Sequence, residues 1–317
     1  MRTVSIYGQG QLGRGIATVL QSRGKHRVLG PFSRDSRQEA LASGADVVVI
    51  ATTTRLRDVW DDIRLAVESG SNVLVSAEES ANPWLVDTQL ADDLDGEART
   101  AGVTILGAGL NPGLIFDALV LTLLGAAPDD VTIEVRRVVD ISGFGATILG
   151  RLGIGYSVDE FYERVSEGHI LGHAGFPQSM SVVGRATGRQ VFNIESDMAP
   201  IVGEDPITLA SGKTIPIGYS SGVDQTYRAI FEGACWYTAK FLGHVSPESA
   251  GLLAQDSITL FRGDEKFQEV KITPAFDPQI GSRQMLANSI DRVLDAHPGW
   301  VTVADLRPAS MSRNLVL

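Results

Sequence analysis

Two features of this sequence could do chemistry. One is the run Gly8-Gln9-Gly10-Gln11-Leu12-Gly13, and the other is the adjacent carboxylate pair in Ser76-Ala77-Glu78-Glu79-Ser80. A Gly-x-Gly-x-x-Gly run between a strand and a helix suits a dinucleotide. The first glycine permits a tight turn, the second lets a pyrophosphate approach the backbone, and the third lets helix and strand pack closely. The helix N-terminus, with Gln11 and Leu12 in its entry, then offers unpaired N–H groups and a positive dipole end to phosphates. A carboxylate can serve both as a base and as the counter-charge to a cation. Neighbours on an extended chain point to opposite sides, so one of Glu78 and Glu79 is expected in a site, and the spacing does not say which. The alternative for either is an acid placed near a helix N-terminus.

Such groups need a scaffold that brings strand ends together. Residues 3–7, 27–30, 46–52, 72–77 and 103–107 read as strands, and residues 11–23, 55–68 and 84–101 read as helices. Alternating βα units predict a doubly wound parallel sheet, a Rossmann domain over residues 1–112, with ligands beyond the carboxyl ends of the strands. Twenty residues past Gly13 lies Ser33, followed by Arg34 and Asp35. A hydroxyl and a guanidinium suit the 2′-phosphate of NADPH, whereas Asp35 keeps NAD possible. Thr52 and Thr53, at the end of the third strand, are expected cofactor neighbours or helix caps. Asn111, in Gly107-Ala-Gly-Leu-Asn-Pro-Gly113, offers an amide at the nicotinamide end.

The pattern changes near residue 112. A helix over residues 113–125 is expected, then strands over 130–142, 190–197, 227–241, 257–261 and 269–273. Long strands after a βα series predict a second, α+β domain over residues 113–281 for substrate and dimerisation. A helix over 282–296 opens a C-terminal segment, residues 282–317, that is a candidate to return to the first domain. The net charge of −11 argues against nucleic-acid and anionic-membrane surfaces. The single cysteine, Cys235, excludes an intrachain disulfide and a multi-cysteine metal site. His169 and His173 are four apart, but the glycines around them oppose a continuous helix, so no metal is expected. The N-terminus lacks a secretory core and no run reaches membrane-spanning length, so a cytoplasmic setting is expected.

Several motifs together resemble the 2,4-diaminopentanoate dehydrogenase family, which includes the native amine dehydrogenases and is distantly similar to dihydrodipicolinate reductase. They are Glu78-Glu79 with Pro83-Trp84, Gly107-x-Gly-x-Asn-Pro-Gly113, Arg137-Val-Val-Asp140, Gly172-His-x-Gly-x-Pro-x-Ser179, and Pro298-Gly-x-Val-Thr302 with Asp305-Leu306. The resemblance implies NAD(P)-dependent oxidoreduction of a primary amine, run as reductive amination of a ketone with ammonia. In it a glutamate at position 78 or 79 accepts ammonia's proton and stabilises the iminium. The resemblance also implies a homodimer. Where the family has a basic stretch, this chain has Ile141-Ser-Gly-Phe-Gly-Ala-Thr147, so Phe144, Leu149, His173, Phe176 and Met180 are read as an apolar pocket lining, with plain hydrophobic core as the competing reading for Phe144, Leu149 and Met180. The competing functions are an NADPH-dependent carbonyl reductase or hydroxy-compound dehydrogenase, and a non-catalytic NADP-binding protein.

Overall fold

The structure, a computed structural model, describes residues 1–191 and 193–311. They divide into two compact units. The first holds Met1–Leu123, Pro177–Arg189 and the chain from Pro278 onward, and the second holds Leu124–Phe176 and Gln190–Asp277.

The first unit begins with alternating elements: β1 (Thr3–Tyr7), α1 (Gln11–Arg23), β2 (Arg27–Phe32), α2 (Arg37–Leu41), β3 (Val47–Ile50), α3 (Trp60–Glu68), β4 (Asn72–Val75), α4 (Thr88–Ala101) and β5 (Thr104–Gly107). Every residue of β3 is apolar and buried, the signature of a strand covered on both faces. Helix α5 (Ala118–Leu124) leads into the second unit.

There β6 (Thr132–Asp140) is followed by α6 (Ala146–Arg151), α7 (Val158–Ser166) and α8 (Phe176–Ala186). From Pro177 onward, α8 belongs to the first unit. Strands β7 (Asn193–Val202), β8 (Ile207–Thr208), β9 (Thr214–Ile215), β10 (Ser220–Phe231), β11 (Ala234–His244), β12 (Gln255–Arg262) and β13 (Glu265–Ile272) complete the second unit. Its main sheet runs β13-β12-β6-β11-β10-β7, with only β6 and β11 parallel among these neighbours. Its interior includes an ion pair: the Arg137 guanidinium donates to Asp256 at 2.6 Å and to the Phe276 carbonyl at 2.6 Å, with both charged residues 1% exposed. Removing either partner would strand the other charge, so the pair acts as a fixed strut.

The chain returns to the first unit with α9 (Pro278–Leu294) and β14 (Gly299–Val301). This sheet runs β14-β5-β4-β3-β1-β2 and is parallel throughout. One face is covered by Ile63 and Val67 of α3 and Leu94 and Ala98 of α4, the other by Ile16 and Leu20 of α1, Leu286 and Ile290 of α9, and Val182 of α8. Each such side chain contributes roughly 1.5–3 kcal/mol by leaving water.

Four expected elements differ. The helix expected over residues 113–125 starts only at Ala118. Gly113 stands at φ +134°, and the Asp117 carboxylate takes the N–H groups of Gly113 (2.8 Å) and Ala118 (2.7 Å), which ties residues 113–117 into a turn ahead of the helix. The stretch 227–241, expected as one strand, is instead split between β10 and β11. They turn at Glu232 (φ 51°) and Gly233 (φ 82°), both left-handed, as a two-residue hairpin requires. The helices expected from residues 55 and 84 begin with separate 3₁₀ turns, Leu56–Asp58 and Pro83–Leu85.

Candidate active site

The glycine turn lies between β1 and α1. A Cβ on Gly8 would fall 2.2 Å from the Ala51 carbonyl oxygen, and one on Gly13 would fall 1.9 Å from the Gly8 carbonyl oxygen. These two glycines are demanded by the turn itself. Gly10 is different: a Cβ there would meet no protein atom within 4 Å. It is the N-cap of α1, with no side-chain cap and no acid in the first turn. The residue types therefore fit a phosphate group, whose approach a side chain at Gly10 would block. Gln11 is exposed and its amide meets Gln279 of α9, while Leu12 packs against the core. Past β3, Thr52 is exposed and Thr53 donates to Asp58 at 3.2 Å.

At the end of β2, Ser33 opens a 3₁₀ turn of Arg34–Ser36, and Arg34 is exposed. Arg37, which the sequence reading did not single out, donates to the buried Asp62 of α3. Burial pushes the Asp62 carboxyl up, and Arg37 opposes that shift. Burial also raises the Tyr7 hydroxyl, which feels Asp62, Arg37 and Arg34 as well. Two guanidiniums therefore gather near the carboxyl end of β1.

Glu78 and Glu79 begin a 3₁₀ turn, Glu78–Ala81, just past β4, and both are half-buried. Glu79 accepts the Leu56 N–H at 2.8 Å and so closes the entry of the 56–58 turn. The rest of the 78–81 turn is pinned by Ser80: its carbonyl accepts from the Trp300 indole at 3.1 Å and its hydroxyl bonds the Ala77 carbonyl. The next residue, Asn82, is buried and donates to the Ser181 hydroxyl at 2.9 Å.

Asn111 is half-buried in the loop beyond β5, and its bond to Pro112 is cis. The fully buried Asp117 organises this loop, adding a 2.9 Å hydrogen bond from Ser179 to those from Gly113 and Ala118. Burial raises the Asp117 carboxyl, and these donors oppose the shift. Asp117, Ser181, Asn82 and Arg37 were not singled out from sequence, and Ser179 was read only as the end of the Gly172–Ser179 motif. The local signal at Asp117 was an acid at the start of an apolar helix.

In the second unit, His173 and Phe176 touch, with ring centroids 5.1 Å apart. His173 also meets Phe241 at 5.0 Å, and Phe176 stacks on Tyr227 at 5.0 Å. The His173 N–H bonds the buried Gln225 side chain at 2.8 Å. Although part of the residue reaches solvent, burial of the ring pushes its pKa down to about 4, with the Arg137 and Arg151 charges acting in the same direction. Its Nδ1 lies 2.6 Å from the Ala174 carbonyl, an acceptor only, so Nδ1 carries the proton and Nε2 presents a lone pair. Leu149 is buried and Phe144 half-buried in the same unit, whereas Met180 is wholly buried in the first.

A second histidine contact is structural. His244 Nδ1 accepts the Ser246 N–H at 3.0 Å, so Nε2 donates to Ser221 at 2.8 Å and cannot act as its base. His169 is exposed and paired with Glu167. Among the described residues, no three His, Cys, Asp or Glu side chains form a group that could hold a metal ion, and no helix is long and apolar enough to cross a membrane.

Known proteins share this architecture. A solved amine dehydrogenase from Mycobacterium smegmatis superposes with a TM-score of 0.83 over 98% of this chain and 97% of its own, at 22% identity. A probable dehydrogenase from Thermotoga maritima gives 0.56 over 96% and 92%, at 11% identity. In sequence, the 2,4-diaminopentanoate dehydrogenase of Acetoanaerobium sticklandii is 30% identical, covering 96% of this chain and 92% of the relative. The family model for the 2,4-diaminopentanoate dehydrogenase C-terminal domain matches residues 114–315. With a parallel dinucleotide-type sheet and a matching second half, the chain is an oxidoreductase belonging to the 2,4-diaminopentanoate dehydrogenase family.

Proposed function

We propose that the protein interconverts a primary amine with a ketone and ammonia, using NADPH in preference to NADH. The bound nicotinamide would supply or accept the hydride. Gly8, Gly10 and Gly13, with the first N–H groups of α1, hold the pyrophosphate, and Ser33 and Arg34 receive the 2′-phosphate. Thr52 and Thr53 flank the cofactor, and the Asn111 amide orients the nicotinamide carboxamide.

The observation that carries this reading is the place of the carboxylate turn: Glu78 opens a 3₁₀ turn that packs against β5, the strand that leads to Asn111. Its neighbour Glu79 accepts the Leu56 N–H. Glu78, first in that turn, is assigned as the acid–base group: it takes a proton as ammonia adds to the carbonyl, then faces the positive iminium as counter-charge. The family relative from A. sticklandii, named for an amine-bearing substrate, supports the same class. Phe144, Leu149, His173 and Phe176 are assigned to the substrate's apolar part. The wide β7–β13 sheet supports a homodimer, which sedimentation would test.

The reading is tested by NADPH consumption over a ketone panel, with and without ammonium, each repeated with NADH. Consumption that requires ammonium is expected. Ketone-dependent consumption indifferent to ammonium would make the protein a carbonyl reductase. Tight NADPH binding without turnover would leave a cofactor-binding protein.

A further inference from the structure

Helix α8 reaches both loops that bear the proposed chemistry. Ser179, 1% exposed, donates to Asp117 at 2.9 Å and so joins the carboxylate that shapes the Asn111 loop. Ser181 accepts from Asn82 at 2.9 Å and so holds the residue that ends the Glu78 turn. Two residues along an α-helix are about 200° of rotation. The two hydroxyls therefore leave α8 on nearly opposite sides, and the helix stands between the two loops. Further along, Arg185 donates to Thr302 at 2.9 Å and Asp305 at 3.0 Å. Val182 and Val183 are buried.

This arrangement links motifs that binding and proton transfer leave unexplained. The Gly172 to Ser179 motif supplies one hydroxyl, and the Thr302–Asp305 motif receives the far end of the same helix. A buried carboxylate such as Asp117 is costly unless its oxygens are satisfied, and Ser179 is one of its three donors. The aromatic segment at His173 and Phe176 runs into α8 without a break.

We propose that α8 is a two-sided latch in which Ser179 and Ser181 are positioning residues. Ser179 acts through Asp117 on the cofactor loop, and Ser181 acts through Asn82 on the catalytic turn. The inference rests on the amine dehydrogenase reading for the chemistry the loops serve, but its predicted split can also be read without turnover.

The test uses the full chain and three measurements: NADPH affinity by calorimetry, amide hydrogen exchange at Gly113 and Ala118, and the single-turnover rate of ketone reduction with ammonium. Ser179→Ala should weaken NADPH binding about tenfold and speed exchange at both amides, and Ser179→Thr should restore both. Ser181→Ala should leave NADPH affinity within about twofold and slow the single-turnover step about tenfold. If both alanine variants merely melt earlier, with wild-type affinity, exchange and rate, the serines are packing and the latch is overturned. Equal losses of affinity in both would overturn the two-sided assignment. Should Ser179→Ala not fold, a wild-type rate in Ser181→Ala overturns the proposal by itself. A wild-type protein that shows no ammonium-dependent turnover would instead defeat the amine reading. Affinity and exchange in Ser179→Ala against Ser181→Ala would then still decide the latch.

Discussion

The ligand edge of the first unit is built in two ways. At residues 8–13 the geometry is largely local: Gly13 abuts the Gly8 carbonyl within one strand–helix junction, and Gly8 faces the Ala51 backbone just past β3. At residues 78–82 and 107–117 the geometry is imposed from far along the chain, by Ser179, Ser181 and Trp300. A phosphate site needs only backbone N–H groups at a helix start. An acid–base group must be held to fractions of an ångström, which takes supporting side chains. On the proposed reading, binding is written in a short motif and catalysis in a network.

The largest test of that contrast compares the two glutamates. Glu78→Gln should lower the single-turnover rate about a thousandfold, because it removes the acid–base group. Glu79→Gln keeps an oxygen to accept the Leu56 N–H and should lose about tenfold or less. Reversed magnitudes would move the chemistry to Glu79. The glycine turn offers a second test with two readouts. Gly10→Ala places a methyl where no protein atom lies within 4 Å, so its melting temperature should match wild type while NADPH affinity falls about a hundredfold. Gly13→Ala drives a methyl into the Gly8 carbonyl and should lose stability first, by about 2 kcal/mol or more. Undiminished NADPH binding by Gly10→Ala would remove the phosphate from this turn.

The same contrast explains what could be read from the sequence. β1 and α1 have the expected bounds because apolar alternation and glycine punctuation are local signals. The parallel sheet followed by an α+β unit was legible for the same reason. The helix start at Ala118 was not, because an apolar run from Leu114 hides the turn that the Asp117 carboxylate ties. The β10–β11 turn was missed because Glu232-Gly233 is not the usual Asn-Gly pair. That Glu79 holds the Leu56 N–H could not be read from its neighbours, and Arg37 acquires meaning only beside Asp62. Each of these is a tertiary relation between residues whose own neighbours say nothing of it.

The second unit carries the comparison to acid–base behaviour. An unfolded imidazole titrates near 6.5, whereas burial pushes His173 down to about 4. Between those values the unfolded chain binds the extra proton, so stability falls as pH drops from 6.5 towards 4. His173 should account for about 2–3 kcal/mol of the loss by pH 4.5. The difference in urea midpoints between wild type and His173→Phe, followed from pH 7 to 4.5, measures it. The variant should lack that part of the slope. Parallel pH profiles would mean that the folded imidazole titrates normally and is well solvated.

The smallest expected effects lie at the far end of the cofactor, where local and imposed geometry meet in two arginines. Arg34 is exposed and positioned by its own turn, whereas Arg37 is shared with Asp62. A guanidinium already facing a carboxylate has less charge to offer a phosphate. Arg34→Ala should therefore raise the KM for NADPH about tenfold, and Arg37→Ala about threefold, with the KM for NADH unchanged in both. Asp62→Asn releases Arg37 from its partner and should shift the NADPH-to-NADH ratio of kcat/KM in the opposite direction, further towards NADPH. A ratio that ignores both arginines would take the 2′-phosphate away from the β2 turn. A ratio that moves with Arg37 more than with Arg34 would show that the imposed group, not the local one, sets cofactor choice.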